Sequence, residues 1–216
     1  MKVMNMVQAI NSALENGLAE NEHTVLYGED VGLEGGVFRV TAGLQEKFGE
    51  KRVFDSPLAE SGIVGTAVGM AATGLKPIVE MQFSGFSYHS FHQVINQVAR
   101  MRNRTRGKYT APIVIRMPYG GGIKAPEHHS ESMEILYAAI PGLKVVIPSS
   151  PHDAKGLLIS AIRSEDPVVF MEPKRLYRSI KQEVPEEAFS IPLGKARVVQ
   201  EGEDVSLLCY GAGMRE

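Results

Sequence analysis

Short apolar runs alternate with longer segments of helical periodicity along most of the chain. The apolar runs are short and continuous and predict buried strands at 24–28, 77–83, 112–118, 144–148 and 167–171. The segments between them predict helices at 61–74, 86–106, 131–139 and 151–164. Short apolar strands that alternate with helices are typical of a parallel sheet covered on both faces. The pattern therefore predicts an α/β, doubly wound domain with a mainly parallel sheet.

The two ends of the chain carry different patterns. Apolar residues recur at spacings of three and four from Val3 to Leu18, which predicts a first helix that ends near Gly17. A segment rich in proline and charge predicts a linker, and 195–200 and 204–211 predict two strands separated by a turn at Gly202. We expect a first domain at 1–175, a linker at 176–192 and the incomplete start of a second domain at 193–216. On this interpretation the chain is a fragment of a longer protein.

Composition excludes several classes of partner. The net charge of −2 gives no general electrostatic reason for binding nucleic acid or an anionic membrane. A basic run at 100–108 ends a predicted helix and lacks the interleaved aromatic residues of single-strand binders, so it predicts a solvated helix end or a subunit contact. The single cysteine, Cys209, excludes an internal disulfide. Without an apolar run of about 20 residues or a cleavable leader, we expect a cytoplasmic protein, or a mitochondrial matrix protein in a eukaryote.

The segment 55–83 carries the strongest chemical signal. Its predicted helix is made largely of glycine and alanine, which indicates that another backbone packs closely against it. Glu60 stands at the start of this helix. From the residues alone, Glu60 is either a surface carboxylate favoured by the helix dipole or a functional acid.

DSPLAESGIVGTAVGMAATG followed by PIVEMQF resembles the cofactor segment of the beta subunits of pyruvate and branched-chain 2-oxo acid dehydrogenases. The likeness continues through QVINQVARMRNRT, PIVIRMPYGGG, HHSES and MEPKRLYR and covers nearly all of 4–211. It implies the thiamine-diphosphate-binding fold, with a transketolase-like pyrimidine-binding domain at 1–175 and the start of a transketolase C-terminal-like domain at 193–216. The implied reaction is oxidative decarboxylation of a 2-oxo acid, with transfer of the acyl group to a lipoyl group.

The resemblance also assigns roles to single residues. Glu60 would hydrogen-bond N1′ of the pyrimidine ring and activate thiamine diphosphate, and Leu58, Gln82 and Phe86 would line the pyrimidine pocket. His129 matches the family's histidine directly before serine and would assist decarboxylation or acyl transfer, although the doublet leaves His128 as an alternative. From the residues alone, Phe86 is equally an ordinary core aromatic residue, and the histidine pair equally a surface feature.

The chain lacks the Gly-Asp-Gly and asparagine pattern that holds the diphosphate and its Mg²⁺ in this family. The resemblance therefore implies that an alpha subunit holds them, in an assembly of two alpha and two beta subunits, with a lipoyl-bearing acyltransferase as the next partner. We expect a 2-oxo acid substrate, with a slight preference for pyruvate. A potassium ion on backbone carbonyls matching Ile113 and 161–166 is also implied, although Ser164 departs from the family's aspartate.

Two alternatives stay open. The first is the pyrimidine domain of a transketolase or a deoxyxylulose-phosphate synthase type enzyme, because such enzymes carry an equivalent domain. The second is a non-catalytic α/β module that uses the small-residue helix for assembly only.

Overall fold

The structure is a computed structural model and describes residues 1–215. The strands of this part of the chain are β1 (Lys2–Asn5), β2 (Thr24–Gly28), β3 (Val53–Asp55), β4 (Lys76–Glu80), β5 (Val114–Tyr119), β6 (Lys144–Val146), β7 (Val168–Pro173) and β8 (Lys181–Val184). Six of them form one sheet with the order β3-β2-β4-β5-β7-β6, and every neighbouring pair in it is parallel. The parallel sheet that the apolar runs predicted is confirmed.

Helices cover both faces of this sheet. They are α1 (Met6–Glu20), α2 (Leu44–Phe48), α3 (Glu60–Ala72), α4 (Phe91–Gln93), α5 (Met101–Arg104), α6 (Glu134–Ala138) and α7 (Pro151–Arg163). Side chains alternate between the two faces along β7: Val168 and Phe170 pack in one core with α1 and α7, and Val169 and Met171 pack in the other with α3. The doubly wound α/β architecture is therefore confirmed.

The first predicted helix begins later and ends later than its apolar pattern indicated. Val3 lies in β1, which pairs antiparallel with β8, and α1 starts after Asn5, whose side chain accepts a hydrogen bond from the Gln8 amide at 2.9 Å. Gly17 does not end the helix. A Cβ atom there would lie 2.8 Å from Cδ1 of Ile162, so this glycine allows α1 and α7 to pack closely.

The segment predicted as one helix at 86–106 is divided into short helical pieces. A 3₁₀ helix at Ser84–Ser90 leads into α4, a π-helical turn spans Val94–Val98, and α5 follows. The hydroxyl groups of Ser87 and Ser90 donate to the carbonyl oxygens three residues earlier, at 2.5 and 2.9 Å. Such local hydrogen bonds compete with a regular α-helix, which accounts for the 3₁₀ start.

The C-terminal segment differs most from its prediction. Neither of the strands predicted at 195–200 and 204–211 forms, and Val198, Val205 and Leu208 are exposed to 69%, 82% and 90%. Within residues 1–215 no strand lies beside these segments, and a strand requires a hydrogen-bonded neighbour. The predicted linker at 176–192 contains β8, so part of it joins the folded body. The start of a second domain at 193–216 stays a prediction, and Glu216 lies outside the described residues.

A strand that the sequence pattern did not indicate, β3, lies at one edge of the sheet and pairs with β2. Its three residues are too few to form a recognisable apolar run. In the part of the chain that the structure describes, no helix combines the length and the apolar character needed to cross a bilayer.

Candidate functional site

The predicted site residues all follow the carboxyl ends of parallel strands. Glu60 comes after β3, Gln82 after β4, and the loop 120–132 after β5. Because the strands are parallel, these segments meet at the C-terminal edge of the sheet, the side at which the carboxyl ends of all its strands lie. This is where α/β proteins bind ligands. The fold therefore brings residues that are far apart in sequence to a common edge.

Glu60 is a buried carboxylic acid. It is the first residue of α3, and only 6% of its surface is exposed. Within residues 1–215 its carboxyl group makes no side-chain hydrogen bond and no ion pair. No side chain of residues 1–215 therefore occupies this carboxyl group. Glu60 is thus available to a ligand rather than used by the fold.

Two hydrogen bonds and a ring contact fix the first turn of α3. The Tyr27 hydroxyl donates to the carbonyl oxygen of Ile63 at 2.8 Å, and its ring stacks on Phe54 at 4.9 Å between centroids. Burial raises the pKa of this hydroxyl, so it stays a donor. Ser61 donates to the carbonyl oxygen of His89 and so links α3 to the 3₁₀ helix that carries Phe86. These contacts fix the backbone on which Glu60 stands.

Two further acids lie at the end of β2. The pKa of Glu29 is raised by burial, and then by the negative charges of Asp30 and Glu60. Asp30 has a left-handed backbone with φ of 58° and accepts a hydrogen bond from Gln82 Nε2 at 2.9 Å. Gln82 is therefore tied to the acids at the neighbouring strand. The sequence pattern had not singled out Glu29 or Asp30.

Three rings from the segments that follow β4 and β5 form a cluster. The ring of His129 lies 4.5 Å from Phe83 and 5.1 Å from Phe86, measured between centroids, and the two phenyl rings are 5.3 Å apart. His129 Nδ1 is 3.0 Å from the carbonyl oxygen of Glu127. If this nitrogen carries the proton, Nε2 is left as an acceptor. The structure thus brings together two of the predicted site residues, Phe86 and His129.

The loop that carries both histidines rests on the 3₁₀ helix. Ser84 Oγ donates to the carbonyl oxygen of Glu131 at 2.9 Å, and Gly85 touches the backbone of His128. His128 has a φ of 69°, and its ring lies 6.4 Å from exposed Tyr88. The backbone turn at His128 therefore separates the two rings of the doublet, and His129 is the one that joins the Phe83 and Phe86 cluster.

Leu58 stands apart from the other predicted residues. Its side chain is 74% exposed in this chain. A leucine at that position lines a pocket only when a ligand or another polypeptide covers it. The structure does not bring Leu58 into the ring cluster.

A buried charge network connects the strands β4, β5 and β7. Arg116 donates to Glu172 through Nε at 2.8 Å and Nη2 at 3.1 Å, and to Glu80 through Nη1 at 2.6 Å. Tyr177 donates to Glu172 at 2.6 Å. The sequence contained a signal for this network, because Glu80, Arg116 and Glu172 are charged residues within buried, mainly apolar strands.

The segments expected to hold potassium carry backbone and side-chain contacts of their own. The carbonyl oxygen of Ile113 accepts from the Val168 amide at 3.0 Å, and Ser164 Oγ donates to the carbonyl oxygen of Asp166 at 2.9 Å. The Asp166 carboxylate accepts from Arg102 Nε at 2.6 Å. Among residues 1–215, no group of three His, Cys, Asp or Glu side chains is placed to hold a metal ion. The potassium site stays a prediction.

The chain is similar to proteins of known family. A family model described as "Transketolase, pyrimidine binding domain" matches residues 2–180. "Pyruvate dehydrogenase E1 component subunit beta" of Acholeplasma laidlawii is 57% identical over the whole chain, and this match covers 66% of that protein. Proteins of the same name are 56% identical in Bacillus subtilis, over 100% of the chain and 66% of the relative, and 53% identical in Mycoplasma genitalium, over 98% and 65%. The chain spans about two thirds of the length of these relatives.

A solved structure shares the fold. "Split gene transketolase, inactive beta4 tetramer" matches 97% of this chain and 63% of its own length, with a TM-score of 0.75 and 19% identity. At that identity the likeness concerns the fold alone. The sequence match over 2–180 and the parallel sheet agree, and the chain belongs to the family of transketolase pyrimidine-binding domains.

Proposed function

We propose that the chain is the pyrimidine-binding part of the beta subunit of a pyruvate dehydrogenase. With an alpha subunit, the full-length protein would use thiamine diphosphate to decarboxylate pyruvate oxidatively and pass the acetyl group to a lipoyl group. The relatives that match over the whole chain support this reaction over that of a transketolase and over an assembly module. The single observation that carries the proposal is the position of Glu60, a buried residue at the start of α3 whose carboxyl group makes no side-chain hydrogen bond or ion pair within residues 1–215.

The cofactor fits the residues at this edge of the sheet. When bound, thiamine diphosphate supplies the carbanion that adds to a 2-oxo carbon and the electron sink that decarboxylation requires. Glu60 would hold the pyrimidine ring through a hydrogen bond to N1′ and keep a proton at that nitrogen. Burial and the charges of Asp30 and Glu60 raise the pKa of Glu29, and a perturbed acid at this position supports a functional site here.

The ring cluster would bind and orient the reacting groups. Phe86 would stack on the pyrimidine ring, and Gln82, fixed by Asp30, would shape the rim of the pocket. Leu58 would be covered by the cofactor and the alpha subunit. His129 would exchange a proton with the former carbonyl oxygen of the substrate, or with the lipoyl thiol during acyl transfer. The contacts of His129 with Phe83 and Phe86 support this role, because they hold the imidazole in one orientation.

The proposal includes partners that the chain itself does not contain. The diphosphate and Mg²⁺ would be held by the alpha subunit in an assembly of two alpha and two beta subunits, and the lipoyl group would come from the acyltransferase component. The exposed small-residue face of α3, which includes Gly62, Gly65 and Gly69, supports close contact with another chain. We also place this assembly in the cytoplasm.

The test is a Glu60→Gln exchange in the full-length beta subunit, reconstituted with its alpha subunit. We expect turnover of pyruvate to fall by about 10²- to 10⁴-fold, the usual contribution of a positioned acid or base. Glu46→Gln, an exposed carboxylate on α2, is the matched control and should leave turnover unchanged. Turnover that survives the Glu60→Gln exchange would exclude the mechanism. Ketol transfer by the wild-type pair without decarboxylation would instead favour a transketolase.

A further inference from the structure

Lys174 is a buried ammonium group without a hydrogen-bond partner. Only 7% of its surface is exposed, and within residues 1–215 its Nζ atom has no acceptor. Burial lowers the pKa of Lys174 to about 8. Native proteins rarely leave such a group unpaired, because the water lost from it is not replaced. The position therefore indicates an acceptor that this chain does not itself provide.

The side chain of Lys174 reaches toward the candidate site. The residue directly follows β7, at the same edge of the sheet as Gln82 and His129. Its Nζ atom lies 5.4 Å from the centre of the Phe83 ring, and that ring lies 4.5 Å from the ring of His129. A cation above an aromatic ring recovers part of the lost hydration. It does not replace the hydrogen bonds that an ammonium group can donate.

A cavity opens beside Lys174. Its volume is about 260 Å³, and it lies where the neighbouring strands β5 and β7 end. Gly120, Gly121 and Ser132 line it together with Lys174. A water molecule occupies about 30 Å³ in the liquid, so the cavity has room for a small organic acid. A ligand in this cavity would lie beside the side chain that carries the ammonium group.

We propose that Lys174 binds the carboxylate group of the 2-oxo acid substrate through a charge-assisted hydrogen bond. This inference rests on the proposed function and names the residue that recognises the substrate's charge. A 2-oxo acid is an anion at neutral pH and supplies the acceptor that the Lys174 ammonium lacks. Lys174 contacts the substrate carboxylate in this assignment, whereas Glu60 and His129 serve the cofactor and the former carbonyl group.

Decarboxylation removes negative charge from the group that Lys174 binds. The ion pair would therefore stabilise the bound substrate at least as much as the transition state. Loss of the ammonium group should then weaken substrate binding without slowing the chemical step. A higher KM with an unchanged kcat would distinguish Lys174 from a residue that only stabilises the fold.

The experiment compares Lys174→Met, Lys174→Arg and wild type in the full-length beta subunit, reconstituted with the alpha subunit. For Lys174→Met we expect the KM for pyruvate to rise about tenfold, with kcat unchanged or slightly higher. Lys174→Arg should restore most of the affinity. Lys51→Met removes an exposed charge of the same kind and should change neither constant.

Thermal unfolding gives a second, independent measurement. The Lys174→Met protein should have a higher Tm than wild type, because an unpaired buried charge is replaced by an apolar side chain of similar length. Pyruvate should raise the Tm of wild type but not of Lys174→Met. Inorganic phosphate serves as the competing anion. A larger rise with phosphate than with pyruvate would overturn the assignment to the substrate carboxylate.

The outcomes distinguish this inference from the proposed function. If the wild-type pair decarboxylates pyruvate and Lys174→Met keeps the wild-type KM, the inference is wrong and the proposed function stands. If the wild-type pair turns over no 2-oxo acid, the proposed function fails. A pyruvate-dependent rise in Tm that requires Lys174 would then still establish a carboxylate site.

Discussion

Gly85 lies in direct contact with His128: a Cβ atom on Gly85 would overlap the carbonyl oxygen of His128. No side chain other than hydrogen fits this space without displacing the loop. The next residue along that loop, His129, places its ring 5.1 Å from Phe86. The close approach at Gly85 therefore sets where His129 stands relative to the rings that surround it.

We expect Gly85→Ala to displace the loop and impair catalysis. The methyl group would meet backbone atoms, which cannot rotate away as a flexible side chain could. A shift of about 1 Å at a catalytic group can cost on the order of 100-fold in rate, so kcat/KM of the reconstituted pair should fall by roughly 10- to 100-fold. Gly202→Ala, where a Cβ atom meets nothing within 4 Å, is the control. Wild-type kcat/KM in the Gly85→Ala protein would show that the loop does not position His129.

The buried network around Arg116 should contribute strongly to stability. Arg116→Met would leave the carboxylates of Glu80 and Glu172 buried without a cation, which typically costs about 3–5 kcal/mol. Arg39→Met breaks an exposed pair with Glu34 and should cost less than about 1 kcal/mol. Urea unfolding of the full-length protein measures both values. Similar losses in the two variants would argue against a special role for the buried network.

Glu29 should make stability depend on pH. Its pKa in the folded protein is raised above the ordinary value of 4.5 by burial and by the charges of Asp30 and Glu60. Ionisation of Glu29 therefore lowers the stability of the folded state as the pH rises above the ordinary carboxyl pKa. At low pH the group is protonated in both the folded and the unfolded state, and this loss of stability disappears. We expect Glu29→Gln to raise Tm at neutral pH, with a gain that disappears toward about pH 4. A constant gain across that range, measured by calorimetry, would contradict this linkage.

The interior of the fold could be predicted because burial on both faces leaves a simple pattern. Strands such as β2 and β5 are buried along their whole length, and α7 begins and ends close to its predicted bounds. The sequence pattern predicted the wrong element where hydrogen bonding between strands that are distant in sequence determines the secondary structure. Val3 fits a helical stripe, yet it lies in β1 because β8 offers a hydrogen-bonding neighbour more than 170 residues later. The strands predicted beyond 193 lack such a neighbour among the described residues.

The site could be predicted in part for similar reasons. Glu60 was indicated by the family resemblance of 55–83, whereas the residues alone left a surface carboxylate open. The structure confirms that it starts α3, and it is buried there. The proximity of Phe86 to His129 depends on a 3₁₀ helix and a left-handed turn at His128, which no periodic pattern indicates. Lys174 gave no signal at all, because a lysine in a charged segment is usually solvated.

The central claim is that the carboxyl group of Glu60 activates thiamine diphosphate. Its most direct measurement is the rate of hydrogen–deuterium exchange at C2 of the cofactor's thiazolium ring, followed by NMR in the reconstituted pair without substrate. We predict that Glu60→Gln slows this exchange by at least about 100-fold while the cofactor stays bound. Exchange at the wild-type rate in the Glu60→Gln pair would contradict the account.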